Sequence, residues 1–216
     1  KHGHKIMANT AAVAAIWGIL GRDLQVIDAF LRDAFWDKGE KVVAANIAVA
    51  EEGYAFAKTN WHQRLEIPNP PEDKEPRILI SGNSAIAVGA IASGLKFMSA
   101  YPMSPSTSIT EYVATQGKEF NIVMEQAEDE IAAVVMAIGA SYAGVRSMTA
   151  TSGGGLALMS EAVSMAGMNE TPVVIIDAQR PGPATGLPTR TAQEDLNFVI
   201  HLGHGEFPKV VLAPGT

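Results

Sequence analysis

The chain has no cysteine, no long apolar run and no cluster of basic residues, and each absence excludes a class of protein. Without cysteine, its 216 residues form no disulfide and offer no thiolate to an iron–sulfur cluster or a zinc ion. Its apolar runs fall short of the roughly 18 residues that a membrane span requires. The formal net charge of −7, without a Lys/Arg run, argues against nucleic acid or an anionic membrane as the main partner.

The rest of the composition fits a globular protein with a sizeable core, because hydrophobic residues make up 47% of the chain. The N-terminal stretch lacks the apolar region of a secretion signal, which predicts a cytoplasmic location. The five histidines have no metal-ligating neighbours at suitable spacings. We therefore expect no metal ion on this chain.

The hydrophobic pattern divides the chain into a helical part, a linker and an α/β domain, at 1–59, 60–76 and 77–216. The linker contains four prolines, which predict an extended, exposed segment. The helical part has the apolar spacing of three amphipathic helices and no strand pattern. One helix runs to Leu20 with Asn9 or Thr10 as its cap, one runs to about Phe35 with Asp23 as its cap, and one covers 42–57.

From residue 77 onward, short apolar runs alternate with helical segments rich in Gly and Ala. Predicted strands are 77–81, 97–101, 121–125, 147–151, 173–178 and 210–213. Predicted helices are 84–95, 106–116, 128–143, 154–166 and 191–199. This alternation, with strands apolar enough to be buried on both faces, predicts a doubly wound α/β domain with a mostly parallel sheet. In such sheets, ligands bind beyond the carboxyl ends of the strands.

Glycines and hydroxyl residues recur just after the predicted strands, at 81–84, 101–107, 151–155 and 180–190. The glycine run at 153–155 has neither the spaced dinucleotide fingerprint nor the lysine of a P-loop. Two interpretations of this run stay open. It either cradles a phosphate at a helix start, or it forms a tight turn with close packing of helix and sheet.

Four acids crowd the start of one predicted helix: Glu125, Glu128, Asp129 and Glu130. Acids are favoured at a helix N-terminus, where the helix dipole and unpaired N–H groups stabilise negative charge. Glu130, however, leads directly into small and apolar residues that leave the helix no polar face. We therefore expect the first three acids to be solvated and Glu130 to be buried.

Taken together, four segments resemble the alpha subunit of 2-oxoacid:ferredoxin oxidoreductases, most closely the 2-oxoglutarate type. They are Tyr-Pro-Met-Ser-Pro-Ser-Thr at 101–107, the Glu130 helix, Thr-Ser-Gly-Gly-Gly at 151–155 and Gly-Leu-Pro-Thr-Arg-Thr at 186–191. The resemblance covers essentially the whole chain and depends on the order and spacing of the segments.

The resemblance also assigns the parts of the chain. Residues 77–216 look like the pyrimidine-binding domain of the family, and residues 1–59 look like the helical end of a gamma-type domain fused to it. The alpha chain of the family continues well past Thr216. We therefore expect this chain to be a fragment.

For the cofactor, the resemblance implies thiamine diphosphate shared with a partner chain. Glu130 would bind N1′ of the aminopyrimidine and promote the imino tautomer that deprotonates thiazolium C2, with Tyr101 and Pro102 also in the cofactor site. The Gly-Asp-Gly-type turn that binds Mg²⁺ and the diphosphate is missing. Mg²⁺ and the iron–sulfur cluster are therefore expected on a beta subunit. The alternative for Glu130 is one more acid at a helix start.

For the substrate, the resemblance implies that Ser104 offers its hydroxyl to the 2-oxoacid and that Arg190 binds the carboxylate, since a guanidinium matches a carboxylate bidentately. The family usually has threonine where this chain has Ser104. The alternatives are a turn serine and a surface arginine, with Arg180 as the next candidate for the carboxylate.

The implied activity is oxidative decarboxylation of a 2-oxoacid to its acyl-CoA, with coenzyme A as acyl acceptor and ferredoxin as electron acceptor. Two other functions remain open on the sequence. One is the pyrimidine domain of a non-redox thiamine diphosphate enzyme similar to acetolactate synthase. The other is a non-catalytic interaction module that keeps the fold.

Overall fold

A computed structural model describes residues 5–62, 67–68 and 78–215. The chain divides into two units, Lys1–Pro76 and Arg77–Thr216. Most of the predicted linker 60–76 lies outside the described residues. Within the described part, the Arg22 guanidinium donates hydrogen bonds to the carbonyls of Ile67 and Pro68, at 3.1 and 3.0 Å.

The described residues of the first unit form three α-helices and two 3-10 turns, and none of them is in a strand. The helices are α1 Ala8–Ile19, α2 Leu24–Ala34 and α3 Glu40–Asn60, and the turns are Lys5–Met7 and Trp36–Lys38. Ala14, Leu31 and Ala50 are buried in their shared core. Helices α1 and α3 approach closely at Gly53, where a Cβ would lie 2.4 Å from the Ala11 carbonyl oxygen.

One of the two predicted helix caps in this unit is correct. The Asp23 carboxylate accepts a hydrogen bond from the Gln25 N–H at 3.0 Å and caps α2, as expected. The cap predicted at Asn9 or Thr10 is wrong, because α1 begins before both residues. The Thr10 hydroxyl instead donates to the Asn46 side chain at 3.0 Å.

In the second unit, four strands form one sheet. The strands are β1 Phe97–Ala100, β2 Val123–Gln126, β3 Ser147–Thr151 and β4 Val174–Asp177. The helices are α4 Gly82–Ala92, α5 Thr107–Phe120, α6 Glu130–Tyr142, α7 Gly153–Leu158, α8 Ser160–Met168 and α9 Leu196–His201. The spatial order is β2-β1-β3-β4, and every pairing is parallel. The predicted α/β fold with a parallel sheet is confirmed.

Side chains alternate along the strands and supply two separate cores. Met98, Ala100 and Met148 are buried in a core with residues of α4 and α5. On the opposite face, Val173 and Ile175 pack against a core built from α6, α7 and α8. Helices therefore cover both faces, as a doubly wound sheet requires.

The predicted strands at 77–81 and 210–213 are wrong. In the described structure, residues 78–80 and 210–213 pair with no strand, and Leu79 and Leu212 are exposed. Their apolar pattern suits a strand, but a strand forms only where a neighbouring strand takes up its backbone hydrogen bonds. Ser81 instead caps α4, because its hydroxyl accepts a hydrogen bond from the Ser84 N–H at 3.1 Å.

Two predicted helices also differ from the structure. The segment predicted as one helix at 154–166 is divided at Met159 into α7 and α8. The helix predicted at 191–199 begins only at Leu196. Asp195 has a left-handed φ of 64°, and this turn separates the preceding loop from α9.

Two strand hydroxyls fix α6 on the sheet. Ser99 Oγ donates to the Ala133 carbonyl and Ser147 Oγ donates to the Ala137 carbonyl, both at 2.6 Å and both buried. The two acceptors are four residues apart, so they lie on the same side of the helix. The position of Glu130, the first residue of α6, therefore depends on these bonds.

We expect Ser99→Ala and Ser147→Ala each to lower the free energy of unfolding by about 1 kcal/mol, because each removes a buried hydrogen bond. Thr115→Ala removes an exposed hydroxyl bond within α5 and is the control. It should change the value by less than about 0.5 kcal/mol. Urea unfolding measures all three, and equal effects would contradict the special role of the two serines.

Candidate active site

The carboxyl ends of the parallel strands meet at one edge of the sheet, and the predicted site residues follow them. Residues 101–106 connect β1 to α5 and are called the β1–α5 loop. Residues 127–129 lead from β2 to Glu130, α7 begins directly after β3, and residues 178–195 form the β4–α9 loop. This is the edge at which ligands bind in open parallel sheets.

Glu130 is the buried member of the acidic cluster, with 4% of its surface exposed. Asp129 caps α6, since its carboxylate accepts a hydrogen bond from a backbone N–H in the first turn at 2.7 Å. The side chains of Glu125 and Glu128 are exposed. Asp129 therefore satisfies the helix start, and Glu130 is not needed for that purpose.

Glu130 lies in a space left by Gly155. A Cβ on Gly155 would lie 2.0 Å from Thr151 Oγ1, 2.7 Å from Glu130 Cγ and 2.9 Å from Glu130 Oε1. Among the described residues, no hydrogen-bond partner of the Glu130 carboxylate is found. Burying a carboxylate without a partner costs free energy. This carboxylate therefore suits a ligand that donates a hydrogen bond to it.

The β1–α5 loop is held from within and by two neighbouring segments. The Ser106 hydroxyl donates to the Met103 carbonyl at 2.6 Å. The Arg180 guanidinium, on the β4–α9 loop, donates to the Ser104 carbonyl at 2.8 Å. The Thr151 hydroxyl donates to Met103 Sδ at 3.8 Å. This last contact connects the loop with the surroundings of the buried glutamate.

The predicted site residues follow strands at the same edge of the sheet. Tyr101, Pro102 and Ser104 lie on the edge just after β1 with exposed side chains, and contacts through Met103 and Thr151 connect their segment with Glu130. Arg190 is exposed in the β4–α9 loop. In the described part of the chain, its guanidinium forms no hydrogen bond with Ser104 and no ion pair with Glu130.

A cavity of about 340 Å³ is lined by α7, α9 and the β4–α9 loop, with Ser152, Arg180 and Asp195 as its polar residues. Ser152 is fully buried, and its hydroxyl has no hydrogen-bond partner among the described residues. A Cβ on Gly153 would lie 2.4 Å from an Asp195 carboxylate oxygen. The glycines at 153–155 therefore allow neighbouring segments to pack closely against the start of α7, in agreement with the close-packing interpretation of this run.

Asp177, the last residue of β4, places another acid near this cavity. Both of its carboxylate oxygens are buried and have no hydrogen-bond partner in the described ranges. Burial and, to a smaller extent, the nearby Asp195 carboxylate together raise the pKa of Asp177 to about 6. Burial also raises the pKa of Asp195, with a smaller contribution from Glu194.

Sequence reasoning missed both of these acids. A signal for Asp177 was available, because an acid directly after an apolar parallel strand lies at the ligand-binding edge. No local pattern marks Asp195, since its position depends on the path of the whole β4–α9 loop.

The described residues contain no group of three or more His, Asp or Glu side chains that could hold a metal ion. Within the same ranges, none of the helices combines the length and the apolar character needed to cross a membrane.

Asp177→Asn should change how stability depends on pH. The folded chain keeps the Asp177 proton up to about pH 6, whereas the unfolded chain releases it near the ordinary pKa of 3.8. The folded state binds more protons in this window, so the contribution of Asp177 to the free energy of unfolding falls as the pH rises from about 4 to about 6. The amide removes that fall and should make the variant more stable than the parent chain above about pH 7.

Thermal unfolding from about pH 4 to about pH 8 measures this difference. Glu119→Gln, at an exposed position of α5, is the control and should follow the parent curve. Parallel curves for the parent chain and Asp177→Asn would contradict the raised pKa.

Two protein families match the chain. The pyruvate flavodoxin/ferredoxin oxidoreductase family, through its thiamine diphosphate-binding domain, matches residues 88–216. The pyruvate ferredoxin/flavodoxin oxidoreductase family matches residues 1–56. The first match includes the whole sheet, Glu130 and the loops at its carboxyl edge.

Individual relatives agree with this assignment. The alpha subunit of 2-oxoacid:ferredoxin oxidoreductase 1 from Sulfurisphaera tokodaii is 39% identical over 96% of this chain and 34% of its own length. The 2-oxoglutarate synthase subunit KorA from Archaeoglobus fulgidus is 46% identical over 64% of this chain and 40% of its own length. Relatives such as the Sulfurisphaera alpha subunit match nearly the whole chain, but the chain spans only about a third of their length.

A solved structure is similar over nearly the same range. The 2-oxoglutarate:ferredoxin oxidoreductase from Magnetococcus marinus, solved with 2-oxoglutarate, coenzyme A and succinyl-CoA bound, is 44% identical with a TM-score of 0.81. The match covers 94% of this chain and 35% of that one. The chain therefore belongs to the pyruvate flavodoxin/ferredoxin oxidoreductase family, and residues 88–216 are its thiamine diphosphate-binding domain.

Proposed function

We propose that the chain is part of the alpha subunit of a 2-oxoacid:ferredoxin oxidoreductase, with 2-oxoglutarate as its substrate. The complete enzyme would convert the 2-oxoacid to its acyl-CoA and CO₂ and pass the electrons to ferredoxin. The observation that carries the proposal is the buried Glu130 carboxylate, which has no partner among the described residues. The names of the relatives support the same function and do not favour an acetolactate-forming enzyme.

The residues present fit the pyrimidine half of thiamine diphosphate. Glu130 would hold the ring through a hydrogen bond in the space beside Gly155, and the exposed Tyr101 and Pro102 would line it. When bound, thiamine diphosphate supplies an electron sink for decarboxylation. Because the chain has neither cysteine nor a diphosphate-binding motif, we assign Mg²⁺ and the iron–sulfur cluster to a beta subunit.

In the proposed site, Glu130 would share a proton with a ring nitrogen of the cofactor. Only 4% of the Glu130 surface is exposed, and a hydrogen bond is stronger at such a buried position than in solvent. The Asp129 cap and the two strand hydroxyls that fix α6 keep the carboxyl in position. A fixed, buried carboxyl of this kind acts as a general acid–base toward a ligand nitrogen within hydrogen-bond distance.

For the 2-oxoacid, we propose a site between the β1–α5 and β4–α9 loops. The Ser104 hydroxyl would donate to a substrate oxygen, and an arginine would bind the carboxylate bidentately. Arg180 is the first candidate, because it lines the cavity and contacts Ser104. That contact uses one of the five guanidinium N–H donors and leaves the others for a ligand. Arg190, expected from the sequence resemblance, is the second candidate.

The remaining partners belong to the complete enzyme. We propose a beta subunit that completes the cofactor site, ferredoxin as electron acceptor and coenzyme A as acyl acceptor. The Magnetococcus structure, with coenzyme A and succinyl-CoA bound, supports the last of these. We place the complex in the cytoplasm, where it would meet coenzyme A and ferredoxin.

Glu130→Gln in the assembled enzyme should leave cofactor occupancy nearly intact, because the amide has the same shape and still forms a hydrogen bond. Exchange of the thiazolium C2 proton for deuterium should fall by roughly 10²–10⁴, the range for losing one general acid–base group. This measurement separates proton transfer from later electron transfer. Glu128→Gln, at an exposed neighbouring acid, is the matched control. If Glu130→Gln exchanged this proton at the parent rate, Glu130 would have no catalytic role and would only stabilise the start of α6.

Two single variants of the assembled enzyme, Arg180→Lys and Arg190→Lys, show which arginine binds the substrate carboxylate. The variant at the carboxylate site should raise KM for the 2-oxoacid by more than about tenfold, because an ammonium cannot form two parallel hydrogen bonds to a carboxylate. We expect this effect for Arg180→Lys and a smaller one for Arg190→Lys. A larger effect for Arg190→Lys would identify Arg190 as the residue that binds the carboxylate. An unchanged KM in both variants would mean that another residue binds it.

A further inference from the structure

Glu194 closes the β4–α9 loop near its two ends. Its Oε2 atom accepts a hydrogen bond from the Gly182 N–H at 2.7 Å, and its carbonyl oxygen accepts one from the Gln179 side-chain amide. The two donors flank Arg180, one residue before it and two residues after it. Glu194 therefore holds the segment on both sides of Arg180, with its carboxylate at Gly182 and with its backbone carbonyl at Gln179.

Further contacts restrict the same segment. The Leu187 N–H donates to the Pro181 carbonyl at 3.1 Å. Gly186 makes this turn possible, because its φ is 56° and a Cβ would lie 1.7 Å from the Pro181 carbonyl oxygen. The Arg180 guanidinium is in turn bonded to the Ser104 carbonyl. With these bonds in place, the direction of the guanidinium is set before any substrate arrives.

We propose that Glu194 is a positioning residue for the substrate carboxylate. Its carboxylate holds Gly182, two residues after Arg180, and so keeps the Arg180 guanidinium directed at the Ser104 carbonyl. A loop without this contact would have to be ordered when substrate binds, and that ordering weakens binding. This inference rests on the proposed function, since it concerns the same 2-oxoacid site.

The test compares Glu194→Ala and Glu194→Gln in the assembled enzyme, with Glu119→Ala at an exposed position of α5 as the control. Glu194→Ala should raise KM for the 2-oxoacid about tenfold, with kcat changed by less than about threefold. Glu194→Gln keeps one side-chain oxygen acceptor and should restore KM to within about threefold of the parent value. Deuterium exchange at thiazolium C2 should be unchanged in all three variants, because Glu130 is untouched.

A second readout does not depend on turnover. Amide hydrogen exchange at Gly182 should be faster in Glu194→Ala than in the parent enzyme and close to the parent rate in Glu194→Gln. An unchanged KM in Glu194→Ala, equal losses in both Glu194 variants, or a joint fall of kcat and C2 exchange would overturn the proposal. Unchanged protection of Gly182 would overturn it as well. A parent complex that turns over no 2-oxoacid would instead overturn the proposed function.

Discussion

The burial of one carboxylate at the start of a helix is the constraint on which the rest of this site depends. Removing Glu130 from water without a partner in the described residues costs free energy, and neighbouring residues make the arrangement possible. Asp129 takes over the capping of α6. Gly155 leaves room for the carboxyl beside Thr151. A glutamate that merely stabilised a helix start would need none of these provisions, because it could remain in solvent.

The parallel sheet brings this carboxyl and the substrate loops to the same edge. Because all four strands run in one direction, the segments after them are neighbours, although they are far apart in the sequence. Side-chain contacts then join these segments: Thr151 bonds Met103, and Arg180 bonds Ser104. These contacts hold the β1–α5 loop, which carries Ser104, against the end of β3 and against the β4–α9 loop.

Features set by local pattern could be predicted from the sequence. The alternation of apolar runs and helical segments gave the parallel α/β fold, and the apolar residues after Glu130 gave its burial. Features that depend on residues far away in the sequence could not be predicted. Residues 210–213 have the pattern of a strand but no pairing strand in the described structure, and Asp195 reaches the cavity only through the path of a long loop. The placing of Arg180 beside Ser104 depends on the same loop.

The most direct test of this account is an experimental structure of the complete enzyme with thiamine diphosphate bound. The decisive quantity is the distance between the Glu130 carboxylate and N1′ of the aminopyrimidine. The account predicts a hydrogen bond of about 2.6–3.2 Å, with Gly155 and Thr151 still enclosing the carboxyl. A separation beyond about 4 Å, or a different acid at N1′, would contradict it.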